Sequence, residues 1–441
     1  MLLKTRKKVL AIALAGAMIA GLGSSYVPGS LNSVTAKAET EGDEGSDGLT
    51  AIDKLTVKSP DGKVSAKIWK NDDGKFYYSA YLNDTVVIQC SEFGLVTKDD
   101  DYSTGMELDE ASVKVVAGID DYDIFQGPVN HVNKEWNQLN FDLVKGDARI
   151  TMNFRIANDG LAYRYQGDTD TTSDSESVAI TSEKSSFTLP DSTTFWSTDH
   201  SATYEAGKYT ERTMAQVKGG NITFSTPMLA DTGSDGNGAW VLLSEASVYN
   251  NDDPYCASIF QTAAGKKAIT VKFGVDLVGE DNPDNHKKTM DRRHNQIKEV
   301  DFTNKFETPW RAAIIGESLN NVINSTMISD LNPAAEGDFS WVKPGTSVWS
   351  WWSTSSDNID YDSMIDYIDF CSEAGITYCL VDYGWEMWDN YEEKMRGLVE
   401  YANERNVGIL VWYGVHKWDN PHIFDLDNEE DIEEQFAWCE D

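Results

Sequence analysis

The stretch ITYCLVDYGWEMW, residues 376–388, carries a carboxylate where a buried strand should end. Residues 376–381 are apolar enough for a strand covered on both faces, and Asp382, Gly384 and Trp385 follow at its C-terminal end. Two other stretches repeat the arrangement. PGTSVWSWW (344–352) runs into Trp349, Trp351 and Trp352, and VGILVWYGV (407–415) carries Trp412 and Tyr413, with His416 just beyond. Aromatic rings beside a carboxylate suit a sugar. The C–H face of a pyranose lies on an aromatic plane, and a carboxylate accepts from adjacent hydroxyls. Asp382, Trp385, Trp349, Trp351 and His416 are therefore the candidate substrate-binding residues, with Asp382 read as a hydroxyl ligand and not as a nucleophile. Any one of these tryptophans could instead pack the top of the fold. The group, gathered at strand ends, is what points to carbohydrate.

Helices must separate these strands. YDSMIDYIDFCSEAG (361–375) sets Met364, Ile365, Ile368 and Cys371 at helical spacing and stops at Gly375. YEEKMRGLVEYANERNVG (391–408) predicts a second helix with Met395, Leu398 and Val399 facing inward, and NEEDIEEQFAWCED (428–441) opens a third. Strand and helix alternate three times, and the strands are apolar throughout, which predicts a parallel α/β architecture. Eight such units close a barrel of roughly 250 residues whose chemistry sits at the C-terminal ends of the strands. Three are present, so the region reads as a truncated (β/α)8 barrel with an unpaired edge. A small three-stranded α/β domain is the alternative.

The preceding 250 residues have a different period. Val64, Ala66 and Ile68 alternate, residues 71–74 turn the chain, and Phe76, Tyr78 and Ala80 alternate on the return. Ile150, Met152, Phe154 and Ile156 do the same, followed by a turn at 158–160 and then Leu161, Tyr163 and Tyr165. Ile269, Val271, Phe273, Val275 and Leu277 alternate again. Successive hairpins with Asn/Asp-Gly turns predict a large antiparallel β-sandwich. The expected division is a sandwich over 50–300 and the partial barrel over 301–441, with the polar stretch DNPDNHKKTMDRRHNQ (281–296) before the boundary and TPWRAAIIG opening the second part.

Lys4, Arg6, Lys7 and Lys8, the apolar run VLAIALAGAMIAGLG and the small residues around Ala38 read as a secretory signal peptide over 1–38, cleaved after Ala38. An uncleaved anchor is the competing reading, but the apolar run is shorter than the roughly 20 residues of a spanning helix. Residues 39–49 form an acidic linker, and the rest is expected to be exported without stable membrane insertion. The net charge of −36 would repel nucleic acid, and the surplus of carboxylates makes a calcium site easy to assemble. Five dispersed cysteines do not form a disulfide framework, and Cys371 and Cys379 read as buried thiols.

The sandwich followed by PWR, SWVKPGTSVWSWW, YIDFCSEAGITYCLVDYGW and LVEYANERNVGILVW resembles glycoside hydrolase family 97 from about residue 50 onward. FRIANDGLAYRY looks like that family's sandwich signature, and YEAGKY (204–209) like its calcium-loop segment. The resemblance implies an exo-acting α-glycosidase on α-linked oligosaccharides, a β-super-sandwich packed on a (β/α)8 barrel, and Ca2+ held in part by Glu205. Family members either invert, with a glutamate base just beyond the third strand, or retain, with an aspartate nucleophile on the fourth. The base position falls on Gly414, which implies the retaining, α-galactosidase-like branch with nucleophile and general acid beyond Asp441. Inverting α-glucosidase and a non-catalytic carbohydrate-binding protein stay open. One departure stands out: Ser350 occupies the position where an aspartate is expected in the first strand.

Overall fold

A computed structural model describes residues 46–124, 127–168, 177–200, 208–217, 220–233, 238–248, 258–262, 267–274, 299–303, 305–353, 359–413 and 429–440. The predicted signal peptide, most of the acidic linker, Glu205, Gly414 and His416 lie outside these residues. The chain divides into two compact units, Met1–Leu277 with His294–Glu336, and Val278–Arg293 with Gly337–Asp441. No helix among the described residues is long and apolar enough to cross a membrane.

The first unit is built from antiparallel hairpins. Strands Val64–Lys70 and Phe76–Leu82 pair antiparallel, with Asn71 Oδ1 accepting from the backbone N–H of Asp73 and Lys75 across the turn. Gly74 takes φ of +71° there, and a Cβ on it would lie 2.8 Å from the Met106 nitrogen, so the turn needs glycine. Strands Ala148–Ala157 and Gly160–Asp168 form the second predicted hairpin. Among the described residues these belong to an eight-stranded and a ten-stranded sheet, with a smaller four-stranded sheet beside them. The alternating side chains of both large sheets enter one hydrophobic core, so the two pack as a sandwich. Tyr78 of the first sheet lies 5.7 Å from Phe154 and 5.0 Å from Tyr163 of the second, ring centre to ring centre. Ile269, Val271 and Phe273 are buried as the alternation predicts; Val275 and Leu277 lie outside the described residues.

The boundary predicted at 300/301 is corrected. Val300–Thr303 pairs with Ser177–Glu183, Lys305–Glu307 with Gly160–Asp168, and Trp310–Gly316 sits between Trp240–Ala246 and Gly160–Asp168 in the ten-stranded sheet. TPWRAAIIG therefore closes the sandwich, and the first unit runs to Glu336. The run shows no two-residue alternation because the strand is buried on both faces. One face meets the core. The other is covered by Val322, Met327 and Leu331, from the short helices Leu319–Ile323 and Met327–Asp330 and the residue that follows them.

Arg311, on this strand, is fully buried among carboxylates. Its Nε and Nη2 donate to Glu183 at 3.0 and 2.6 Å, and its Nη1 donates to Glu245 at 2.7 Å and to Ser258 Oγ at 2.9 Å. Ser185 Oγ donates to Glu183, and the Ser258 backbone N–H to Glu245, so every carboxylate oxygen of the cluster accepts a bond. The cluster ties the four-stranded sheet to the ten-stranded one.

Among the described residues the second unit holds three parallel strands, Ser347–Trp349, Tyr378–Val381 and Gly408–Val411, in that order. Helix Tyr361–Ala374 joins the first two and helix Tyr391–Asn403 the last two; helix Glu429–Glu440 follows. The first helix starts on Asp360, whose carboxylate accepts from the Ser363 N–H at 3.0 Å and the Ser363 hydroxyl at 2.6 Å. It ends on Gly375 in the left-handed region at φ 70°. Met364, Ile368 and Cys371 face the sheet, as expected. In the second helix Met395, Leu398 and Ala402 do so, whereas Val399 is 37% exposed, at the margin of that face. Cys371 and Cys379 are buried free thiols, and burial pushes the Cys379 thiol up to about 12.

Candidate functional site

The residues singled out at the strand ends are divided by the fold into two groups. Asp382 directly follows the middle strand and is 5% exposed. The indole N–H of Trp349, at the end of the neighbouring strand, donates to its Oδ2, and the backbone N–H of Tyr383 donates to its Oδ1 at 2.6 Å. Trp349 stacks on Trp351 with ring centres 5.8 Å apart and planes 18° from parallel. Trp352 stands edge-on to Trp349 at 6.3 Å and is 84% exposed. Tyr383 and Trp412 meet edge-to-face at 5.7 Å. A carboxylate in a frame of aromatic rings thus sits at the C-terminal ends of parallel strands, partly open through Trp349, Trp351 and Trp352.

The local chain dictates this placement. Strand polarity puts the three C-terminal ends together, and the parallel register sets Trp349 opposite Leu380, two residues before Asp382. After Asp382 the chain must turn at once. Gly384 adopts φ of +112°, a conformation that side-chain-bearing residues rarely take, and starts the 3-10 turn Trp385–Met387. The three-residue turn Ser350–Trp352 does the same after the first strand, and Ser350, where an aspartate was expected, is buried within it.

Trp385 is corrected from sugar platform to core residue. It is 1% exposed, stacks on Trp438 at 5.7 Å with planes 4° apart, and packs edge-on against Tyr391 and Tyr413. Its indole N–H donates to the Trp412 carbonyl at 2.9 Å. Both ring and N–H are thus committed to the protein. Burial, together with the neighbouring Cys439, raises the Tyr413 phenol well above its usual range. Sequence reasoning missed Glu386. This carboxylate is 3% exposed and accepts from the Gly384 N–H at 3.1 Å. An acidic residue between Trp385 and Met387 was the available signal.

Calcium, implied by the resemblance, requires six to eight converging oxygen ligands. Among the described residues no three or more His, Cys, Asp and Glu side chains converge as metal ligands would.

The chain is similar to a retaining alpha-galactosidase of Bacteroides thetaiotaomicron, 23% identical over 410 residues that cover 84% of this chain and 57% of that protein. It is 27% identical over 365 residues to a probable retaining alpha-galactosidase of Streptomyces bingchenggensis, covering 79% of this chain and 49% of that protein. The chain therefore spans about half the length of these relatives. Among solved structures, a beta-arabinopyranosidase superposes with a TM-score of 0.72 at 24% identity, over 87% of this chain and 60% of that one. A glycoside hydrolase family 97 enzyme from Pseudoalteromonas sp. strain K8, in complex with panose, superposes with a TM-score of 0.63 at 19% identity, over 80% and 53% of the two chains. The model of the N-terminal region of glycosyl hydrolase 97 matches residues 57–333, nearly the whole of the sandwich unit and well over half of the sequence. The chain belongs to glycoside hydrolase family 97.

Proposed function

We propose that this chain is the sandwich and the opening of the catalytic barrel of an exported, retaining, exo-acting α-galactosidase. The observation that carries the reading is Asp382, held by Trp349 and its own backbone inside an aromatic frame at the ends of parallel strands, in a member of this family. The aromatic surface takes the C–H face of the sugar and Asp382 accepts from its hydroxyls. Hydrolysis itself needs two carboxyl groups. A retaining enzyme sets a nucleophile about 5–5.5 Å from its acid/base, whereas an inverting one spaces the pair about 6.5–9.5 Å apart around a water. Gly414 at the inverting base position supports retention, as do the names of the two relatives. On this reading the nucleophile and general acid lie beyond Asp441, and the three βα units continue into a (β/α)8 barrel. Glu205 supplies one of the six to eight oxygens that calcium requires. The basic and apolar N-terminus directs export.

The test is a proton-NMR time course with nitrophenyl α-galactoside, α-glucoside and arabinopyranoside, on the protein produced at the length of its relatives. Release of α-galactose as the first anomer is expected. Initial β-galactose refutes retention, and preference for the α-glucoside with β-glucose released first assigns the inverting glucosidase branch. Sugar binding without turnover assigns a binding protein.

A further inference from the structure

We propose that Trp349 is a positioning residue that fixes the Asp382 carboxylate for two-point recognition of adjacent sugar hydroxyls. The inference rests on the reading of Asp382 as a hydroxyl ligand. A carboxylate offers about four lone-pair sites. In Asp382, Tyr383 N–H occupies one on Oδ1 and the Trp349 indole N–H one on Oδ2. Donors on both oxygens, one from the chain's own backbone and one from the neighbouring strand, stop the carboxylate from rotating about its last bond. Each oxygen keeps one acceptor site, the number needed for two hydroxyls on neighbouring ring carbons. Among the described residues no cation pairs with Asp382, and both donors to it are neutral. Trp349 is poorly disposed to be the sugar platform itself, because one face lies on Trp351 and Trp352 stands against it. The more exposed Trp352 and the outer face of Trp351 are left for the ring contact.

Trp349→Phe keeps a ring on Trp351 and removes only the N–H donor. Two measurements decide the matter, the NMR on the 441-residue chain and the titrations on the protein produced at the length of its relatives. In proton–nitrogen NMR, the indole signal lost in Trp349→Phe should lie downfield of the other indoles and shift upfield in Asp382→Ala. An unmoved signal refutes the hydrogen bond. In titrations with methyl α-galactoside and its monodeoxy analogues, Trp349→Phe should bind the parent sugar about tenfold more weakly, the effect of one charge-assisted hydrogen bond. It should also lose discrimination against the analogue lacking one of the paired hydroxyls. Equal weakening for every analogue would mark a merely structural role and overturn the proposal. Unchanged affinity in Trp349→Phe overturns it too. If the unaltered protein at the length of its relatives binds no sugar, the functional reading falls and this role with it, whatever the NMR signal shows. A thermal melt of Trp349→Phe matching the parent excludes unfolding as the cause.

Discussion

Replacing Arg311 by Met should strongly destabilise the sandwich, through charge and not through volume. The guanidinium is fully buried and makes four hydrogen bonds, two to Glu183, one to Glu245 and one to Ser258. The Glu183 and Glu245 side chains are only 1% and 4% exposed. Methionine fills much of the space but leaves two carboxylates facing each other away from water. Breaking one buried pair by removing a partner costs about 3–5 kcal/mol. For a unit this large about 2 °C accompanies each kcal/mol, so the melting temperature should fall by about 6–10 °C. Differential scanning calorimetry on the purified chain reads this directly. The companion variant Arg311→Met/Glu183→Gln/Glu245→Gln removes the stranded charges while keeping their shapes, and should recover most of the loss. A single-variant loss below about 1 kcal/mol would refute the electrostatic account, since that is the range of exposed ion pairs. A triple variant no more stable than the single one would place the cost in packing.

Asp360→Ala should destabilise the second unit by about 1 kcal/mol at pH 7, as loss of an N-cap does. The Ser363 hydroxyl and N–H hold the Asp360 carboxyl below its usual range, so its contribution is present above about pH 3.9 and is lost as pH falls through the lower folded value. Urea melts of parent and variant should therefore converge in acid, and a gap that widens there would contradict the capping role. Leu398→Ala empties a fully buried position between helix and parallel sheet and should cost about 2–5 kcal/mol, read from the same melts; a change under 1 kcal/mol would mean that this core collapses freely. Glu205→Gln, in the protein at the length of its relatives, should weaken stabilisation by calcium in a thermal titration. Superimposable calcium curves for the two proteins would remove Glu205 as a ligand.

Local periodicity carried most of the architecture. Val64 to Ile68, Phe76 to Ala80, Ile150 to Ile156 and Leu161 to Tyr165 alternate because successive side chains of a strand point to opposite faces, and all turned out to line the core. Met364, Ile368 and Cys371 likewise follow the helical repeat, and Gly375 ends their helix in the left-handed conformation that glycine adopts without steric cost. The strand ends with Asp382 and Trp349 were legible for the same reason. What remained hidden depends on partners distant in sequence. Trp310–Gly316 reads as an apolar run with no period, and only the neighbours on both its edges and the helices over its outer face make it a sandwich strand. Arg311 looks like a surface cation until Glu183 and Glu245, 128 and 66 residues away, close on it. Trp349 and Trp385 are the same residue type at the ends of adjacent strands. The first meets Asp382 near the surface, while the second is enclosed by Trp438 from a helix some 50 residues on. The sequence determines which side chains share a face, because that is set by the backbone repeat. Which faces are then covered is decided by tertiary packing, and covering alone separates a partly exposed ring at a strand end from a core one.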